Sequence, residues 1–482
     1  MLDLRPVFFS LGSLICMLSL GMAVPVTVDL LAGNPDWGVF FLSLLLTLTV
    51  GGMLALANRD TGNALNLRQA FLLTSLAWSV LPAFAALPLA FSDLGLSFTD
   101  AYFEAMSGLT TTGSTIINGL DNAPPGILIW RALLQWFGGI GIIVMAVAVL
   151  PMLQVGGMQV FKGESFDSVE KILPRAGQIS GVISGLYIAF TALCILLYLL
   201  AGMSIFDASA HAMTVIATGG FSTSDGSIGH FDSFSIDMIT VAFMIIGSVP
   251  FILFLQVLRG RPLAVWKDEQ VRGFLKLAGL LCVSVTLWLV IWKDFTPVEA
   301  FRYGTFNIIS VLTGTGYATT DYSQWGSFSA TLFFMVMFIG GCAGSTSCGI
   351  KIFRFQVLLK SMRSWTNHIT QPNGIFVPKY NGRPIPADVK SSVMAFMTLF
   401  MAIFLLLAMA IAGTGEDWIT SFSSAGSALA NVGPGLGEKV GPSGNFSGLT
   451  DTAKWLMSVG MLVGRLEIFS VLVLFSPAFW RG

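Results

Sequence analysis

The chain has 482 residues, of which 54% are hydrophobic and only 11% charged, and its mean hydropathy is +0.79. A soluble fold carries about 25% charged residues to cover its surface, so this composition excludes one and defines a polytopic membrane protein. The net charge of −1 leaves no basic field for nucleic acid. The five scattered cysteines (Cys16, Cys194, Cys282, Cys342 and Cys348) read as buried hydrophobes rather than a disulfide framework.

In chain order, apolar runs at 8–31 and 37–57 are long enough to span, and the first lacks a small-residue cleavage site, so both are expected to be retained. A pattern then repeats four times: apolar run, short semi-polar helix, Thr/Gly-rich kink, apolar run. The long runs lie near 69–92 and 126–151, 177–202 and 234–258, 271–292 and 327–356, and 391–413 and 453–478. The short helices are expected at 99–109, 206–216, 297–311 and 417–429. They are too short to cross a bilayer, so they read as re-entrant. The expected divisions are a leading pair of spans (1–68) and four units (69–176, 177–269, 270–390 and 391–482).

With the N-terminus inside, the inward-facing segments 1–7, 58–68, 152–176, 259–276, 351–390 and 479–482 hold 19 of the 25 Lys and Arg residues, as the positive-inside rule requires. Acids collect on the other side, among them Asp93, Asp100, Glu104, Asp121, Asp207, Asp225, Glu299 and Asp417. All four re-entrant segments therefore open toward an acidic exterior that concentrates cations.

The kinks are Thr111-Thr112-Gly113-Ser114, Ala217-Thr218-Gly219-Gly220, Gly314-Thr315-Gly316-Tyr317 and Asn431-Val432-Gly433-Pro434. Aligned on the third residue, Gly113, Gly219, Gly316 and Gly433 are equivalent. A cation leaving water needs its hydration shell replaced by oxygens, and rings of backbone carbonyls supply them. Turning successive carbonyls one way requires dihedrals that glycine adopts without steric cost. A single Thr-Gly is no more than a helix stop, but four at matching places imply a pseudo-fourfold pore.

The strings FEAMSGLTTTGST (103–115), WFGGIG (136–141), IATGGFST (216–223), TGTGYATTD (313–321), GGCAGSTSCGIK (340–351) and NVGPGLG (431–437) together resemble the Trk/Ktr/HKT superfamily of potassium transporters, most closely its TrkH-type transport subunit. The resemblance implies an all-α fold of four span–pore-helix–span units around one pore, plus two leading transmembrane helices. It also implies potassium as the transported ion, with no covalently bound cofactor. By position, the coordinating carbonyls are those of Thr111, Thr112, Ala217, Thr218, Gly314, Thr315, Asn431 and Val432, backed by Gly113, Gly219, Gly316 and Gly433. In this superfamily serine at the first filter glycine accompanies sodium permeation, so Gly113 points to potassium. Val432, where the other kinks suggest threonine, makes the filter only approximately fourfold.

The run 327–356 is interrupted by Gly340, Gly341, Gly344 and Gly349, with Ser345, Thr346 and Ser347 between them. So many glycines and hydroxyls break a helix; the alternatives are a close packing site or a loop obstructing the pore, and the resemblance favours the loop. Arg465 lies mid-run, where a charge costs about 2.5–3.5 kcal/mol and faces the interior. It is expected to project into the cavity beneath the filter, with an ion pair to another helix as the alternative, and Lys351 is expected to line the inner vestibule. Asp100 with Glu104 and Asp207 with His211 are i,i+4 pairs that either attract cations or satisfy helix ends, the second being preferred. Gly344–Lys351 misses a phosphate-loop spacing by one residue, and Gly441-Pro442-Ser443-Gly444 has no later histidine, so no enzyme is expected.

The segments 152–176, 259–276 and 357–390 are basic and too short for a domain. They suit anionic membrane lipid or a separate soluble protein. The resemblance implies a cytosolic ring of nucleotide-binding regulatory subunits of the TrkA type, a homodimeric transport subunit and a bacterial inner-membrane location. No chain of intramembrane acids suggests a proton relay, which favours channel-like permeation over symport with protons or sodium; both stay open, as does a non-transporting sensor.

Overall fold

The computed structural model describes residues 3–59, 65–148 and 176–481. The basic stretch with Lys162, Lys171 and Arg175 lies outside the described residues. The described chain is helical apart from two short pairings, Ile339–Gly340 parallel to Ile350–Lys351 and Lys379–Tyr380 antiparallel to Arg383–Pro384.

Among the described residues, seven helices are long and apolar enough to cross a membrane: Arg5–Ala32, Trp37–Ala57, Leu67–Phe91, Pro125–Ile143, Ser180–Leu200, Glu269–Trp292 and Ala387–Ala412. The inner runs expected as continuous spans in the second and fourth units are broken instead, and the third is broken as expected. Phe234–Gly247 and Phe251–Leu258 meet at 93°, and Asp451–Arg465 meets Phe469–Phe475 at 102°. Pro250, which has no amide hydrogen, explains the first break. At the second, Glu467 and Ile468 both take positive φ, 55° and 34°. The third inner run stops at Met337 and resumes only at Ile352, with the glycine-rich segment between.

The leading hairpin packs by small residues. A side chain on Gly12 would strike the backbone of Gly51 and Ala55, 2.7 and 2.6 Å away, the close helix approach that glycine permits in membranes.

The four short helices are Phe98–Leu109, Ile205–Ile216, Pro297–Leu312 and Trp418–Ala430. Each begins on a polar N-cap whose side chain accepts the amide three residues on: Ser97 from Asp100, Ser204 from Asp207, Thr296 from Glu299 and Asp417 from Thr420. Such caps satisfy donors that have no partner within the helix. Asp100 and Asp207 thus serve helix starts, as preferred from sequence; Asp100 also pairs with Lys454 at 2.6 Å. The buried C-terminal ends of these helices, the negative poles of their dipoles, converge on the kinks.

Candidate functional site

The four short helices end alike. The amides of Thr112, Gly219, Thr315 and Val432 donate to the carbonyls of Ser107, Thr214, Ser310 and Ser427, five residues back, at 2.9, 2.9, 2.9 and 3.0 Å. The residue before each amide is left-handed: φ is 52° at Thr111, 50° at Thr218, 74° at Gly314 and 52° at Asn431. Two residues later Gly113, Gly220 and Gly316 are left-handed again, at 85°, 80° and 86°. Gly433 has no positive φ, because Pro434 holds the preceding residue extended.

This corrects the expected register of the second kink by one residue. Thr111–Gly113 corresponds to Thr218–Gly220, so Gly220 rather than Gly219 matches Gly113. Ala217 is the C-cap of its helix, the counterpart of Thr110, not of Thr111. The error came from aligning on the first glycine of a Gly-Gly pair. A usable signal was the hydroxyl four residues before each left-handed position: Ser107, Thr214, Ser310 and Ser427.

The four strands close a ring in chain order. A side chain on Gly113 would meet the carbonyl of Gly219, one on Gly220 the carbonyl of Thr315, one on Gly316 the amide of Gly433 and one on Gly433 the carbonyl of Gly113. Three inner helices hold this ring by the same device. Gly138, Gly247 and Gly464 stand against the carbonyls of Leu109, Ile216 and Leu429, the equivalent residues near the ends of their own short helices.

The inner helix of the first unit carries side chains not foreseen from sequence. Gln135 Nε2 donates to the Gly219 carbonyl at 2.7 Å, and its Oε1 accepts from the Phe221 amide at 3.0 Å. One turn earlier, fully buried Arg131 donates to Glu104 at 2.7 Å, to the Ser222 carbonyl at 2.9 Å and to the Thr115 hydroxyl at 3.2 Å. Glu104 also accepts the Ile116 amide at 2.9 Å. The strands leaving the first two kinks are thereby tied to one buried ion pair. A lone arginine in the run 126–151 was the available clue.

Beneath the ring lies the segment 338–351. Its Thr346 hydroxyl contacts the Ile216 carbonyl at 2.9 Å and the Gly247 carbonyl at 2.8 Å. Ser347 donates to the Thr313 carbonyl at 2.5 Å, and Cys348 Sγ lies 3.4 Å from the Thr111 hydroxyl. Gly341 donates to the Ser347 hydroxyl at 2.8 Å, and Ser345 to the Cys342 carbonyl at 2.6 Å. Gly344 and Gly349 are left-handed turning points, at 79° and 72°. The segment's outer edge fills the break in the second unit: Cys342 and Thr346 amides donate to Ser248 and Gly247 carbonyls, and Phe251 donates to Gly344.

Arg465 is buried and reaches this segment from the fourth unit. It donates to Cys348 Sγ, to the Thr346 carbonyl at 3.4 Å and to the Gly138 carbonyl at 3.1 Å. No ion pair to it is found among the described residues, so the carboxylate alternative finds no support there. Glu467 pairs with Arg354 instead, at 2.5 Å. Lys351 Nζ donates to the Ser347 carbonyl. Arg465, Lys351, Cys348, Gly349 and Asn431 line a cavity of about 30 Å³, room for little more than one water molecule. Cys348 is buried and outside any disulfide, as expected, and is in addition a contact of Arg465.

Four pseudo-equivalent span–re-entrant helix–span units around a buried ring of backbone, within a bundle of apolar helices, define a multi-pass membrane transporter rather than an enzyme. The family model described as "TrkH: Cation transport protein" matches residues 38–481, and the chain belongs to that family. It is 43% identical over 478 residues to the Trk system potassium uptake protein TrkI of Halomonas elongata, covering 99% of this chain and 97% of that one. It is 38% identical over 475 residues to TrkH of Escherichia coli K12, covering 98% of each. The crystal structure of the potassium transporter TrkH from Vibrio parahaemolyticus superposes with a TM-score of 0.92 at 36% identity, over 100% of both chains.

Proposed function

We propose that the chain conducts potassium inward across a bacterial inner membrane, N-terminus inside, through the ring of carbonyls. In the corrected register these belong to Thr111, Thr112, Thr218, Gly219, Gly314, Thr315, Asn431 and Val432. Support comes first from ring closure: four left-handed turns, each backed by the negative end of a short helix, set oxygens around one axis where a cation sheds water. The named relatives are potassium transporters, and Gly113 carries no serine hydroxyl. The membrane potential supplies about 2.3 kcal/mol per charge per 100 mV.

Segment 338–351 is the gate in this reading, closed as it stands, with Gly341, Gly344 and Gly349 as its flexible points. Ser345, Thr346 and Ser347 are its ties, and Lys351 and Arg465 the charges beneath the filter. The units 69–176, 177–269, 270–390 and 391–482 follow the four turns. A cytosolic nucleotide-binding subunit of the TrkA type would move the gate, and two copies of the chain would form the transport subunit. The second reading, a symporter coupling potassium to protons or sodium, finds less support. Of the four buried acids among the described residues, Glu104 and Asp237 are paired with Arg131 and Arg302, and paired carboxylates make poor proton carriers; Asp29 and Asp36 form no ion pair but do not join them in a chain across the ring.

The test is radioactive rubidium uptake into proteoliposomes clamped inside-negative, comparing the native chain with Gly113→Ser. Native uptake competed by potassium but not sodium, with discrimination relaxed in the variant, is expected. If the native chain is silent, Arg465→Ala should restore flux; silence in both overturns the proposal.

A further inference from the structure

We infer that the groove between the broken second inner helix and the start of the span Glu269–Trp292 binds the phosphate headgroup of an anionic phospholipid, and that its occupancy bears on segment 338–351. The inference rests on the orientation proposed above, which turns this groove toward the cytoplasmic leaflet. The groove encloses about 750 Å³ and is lined by Arg261, Lys267 and Arg272 together with Asp268, Glu269 and Asn381. Both acids are already engaged. Asp268 caps the following helix, accepting the amides of Gln270 and Val271 at 2.9 and 3.1 Å. Glu269 pairs with Lys360 and accepts the Asn381 amide at 2.9 Å. Arg261, Lys267 and Arg272 form no ion pair among the described residues. Three cations thus converge on a polar hollow whose two carboxylates are held by other groups, Arg272 sensing Glu269 only at longer range.

What surrounds the hollow selects a lipid rather than a soluble phosphate. Leu258, Leu263 and Trp266 are all more than half exposed, next in sequence to the basic residues. Exposed leucines and a tryptophan beside cations supply the apolar, interfacial and charged groups that the acyl chains and headgroup of an anionic phospholipid would meet. A free phosphate would draw nothing from the apolar rim.

The groove is wired to the segment beneath the ring. Gln270, between Glu269 and Arg272, is buried, and its Oε1 accepts the Ala343 amide at 2.7 Å. A headgroup that draws Arg272 and Lys267 together therefore bears on the helix turn from which Gln270 holds the segment.

The test uses the full chain in nanodiscs of phosphatidylcholine with about a quarter phosphatidylglycerol. Native mass spectrometry reads retained phosphatidylglycerol, and rubidium uptake is measured in vesicles of the same lipids. At about 1 kcal/mol per basic residue, each of Arg261→Gln, Lys267→Gln and Arg272→Gln should lower retention about fivefold, and the lysine variants Arg261→Lys and Arg272→Lys should keep it. Gln270→Leu should retain the lipid, yet its uptake should no longer respond to phosphatidylglycerol. Equal retention by the native chain and the triple glutamine variant overturns the site. Displacement of the lipid by inorganic phosphate overturns the lipid assignment, and an unaltered lipid response in Gln270→Leu overturns the coupling. Retention is read without transport, so failure of the potassium pathway would appear separately, as absent uptake in every lipid.

Discussion

The Thr346 hydroxyl lies 2.9 Å from the carbonyl of Ile216, in the last turn of the second short helix, and 2.8 Å from that of Gly247 on the adjoining inner helix. One proton is shared between two acceptors, so this side chain latches the segment beneath the ring to the element that ends in the second kink. Gly138 and Gly464 meet the equivalent carbonyls of their own units by bare close approach; only here does a third unit's side chain intervene.

Thr346→Val keeps the shape and removes the donor. A buried acceptor stripped of its donor costs about 1–3 kcal/mol, which under the proposed gating would destabilise the closed position. Basal rubidium uptake without any regulatory subunit should rise several-fold; unchanged basal uptake in a folded variant would argue that the latch does not hold the segment shut.

Arg465 places a unit charge in the small cavity below the ring. In the proposed pathway this charge would oppose a passing cation by Coulomb repulsion. Arg465→Ala should raise flux about tenfold or more, and Arg465→Lys should stay near native. Equal flux in the alanine and lysine variants would show that side-chain volume, not charge, matters.

The corrected register predicts a difference between adjacent glycines. Gly220 is left-handed and faces the backbone carbonyl of Thr315, whereas Gly219 has no positive φ and a side chain there would first meet the Gln135 side chain, whose amide end can shift. A side chain in the left-handed region costs about 1–2 kcal/mol before any clash. Gly220→Ala should therefore lose more potassium-over-sodium discrimination than Gly219→Ala, measured by competition of rubidium uptake. The opposite order would restore the register expected from sequence.

Gln135 holds the Gly219 carbonyl through Nε2 and the Phe221 amide through Oε1. Gln135→Glu keeps the acceptor and loses the donor; Gln135→Leu loses both. Discrimination should fall in both variants, while the apparent affinity for rubidium changes more than the maximal rate. A fall in maximal rate alone would mark a folding defect.

The Arg131–Glu104 pair is buried on both sides. Removing one member of such a pair costs about 3–5 kcal/mol, because the other charge is left without a partner. Glu104→Ala should lower the thermal unfolding midpoint in detergent sharply, and Glu104→Met with Arg131→Met should recover part of it. A double variant no more stable than the single would show that the hydrogen bonds to Ser222, Thr115 and Ile116 carry the stability instead.

Much was legible because the bilayer simplifies the physics. Apolar runs, short semi-polar helices and glycine-rich kinks are local features, and each keeps its meaning wherever the chain goes. The break between Met337 and Ile352 was readable for the same reason, since helix propensity is summed over neighbours in sequence. The breaks at Ser248–Pro250 and Leu466–Ile468 were not foreseen, although Pro250, Arg465 and Glu467 stand in these runs, because a hydropathy window does not register a bend.

By itself, then, the sequence determined the membrane setting, the four units, the four turns and the segment that interrupts the third unit. Only the tertiary structure decided which glycine matches which, that Gln135 and the Arg131–Glu104 pair brace the second turn, and that Cys348 and Arg465 meet beneath the ring. The physical reason is separation along the chain. A left-handed turn is set by its own residue and the next few. Gln135 meets Gly219, and Arg465 meets Cys348, only after whole spans have packed, and one residue of register then selects which carbonyl is held.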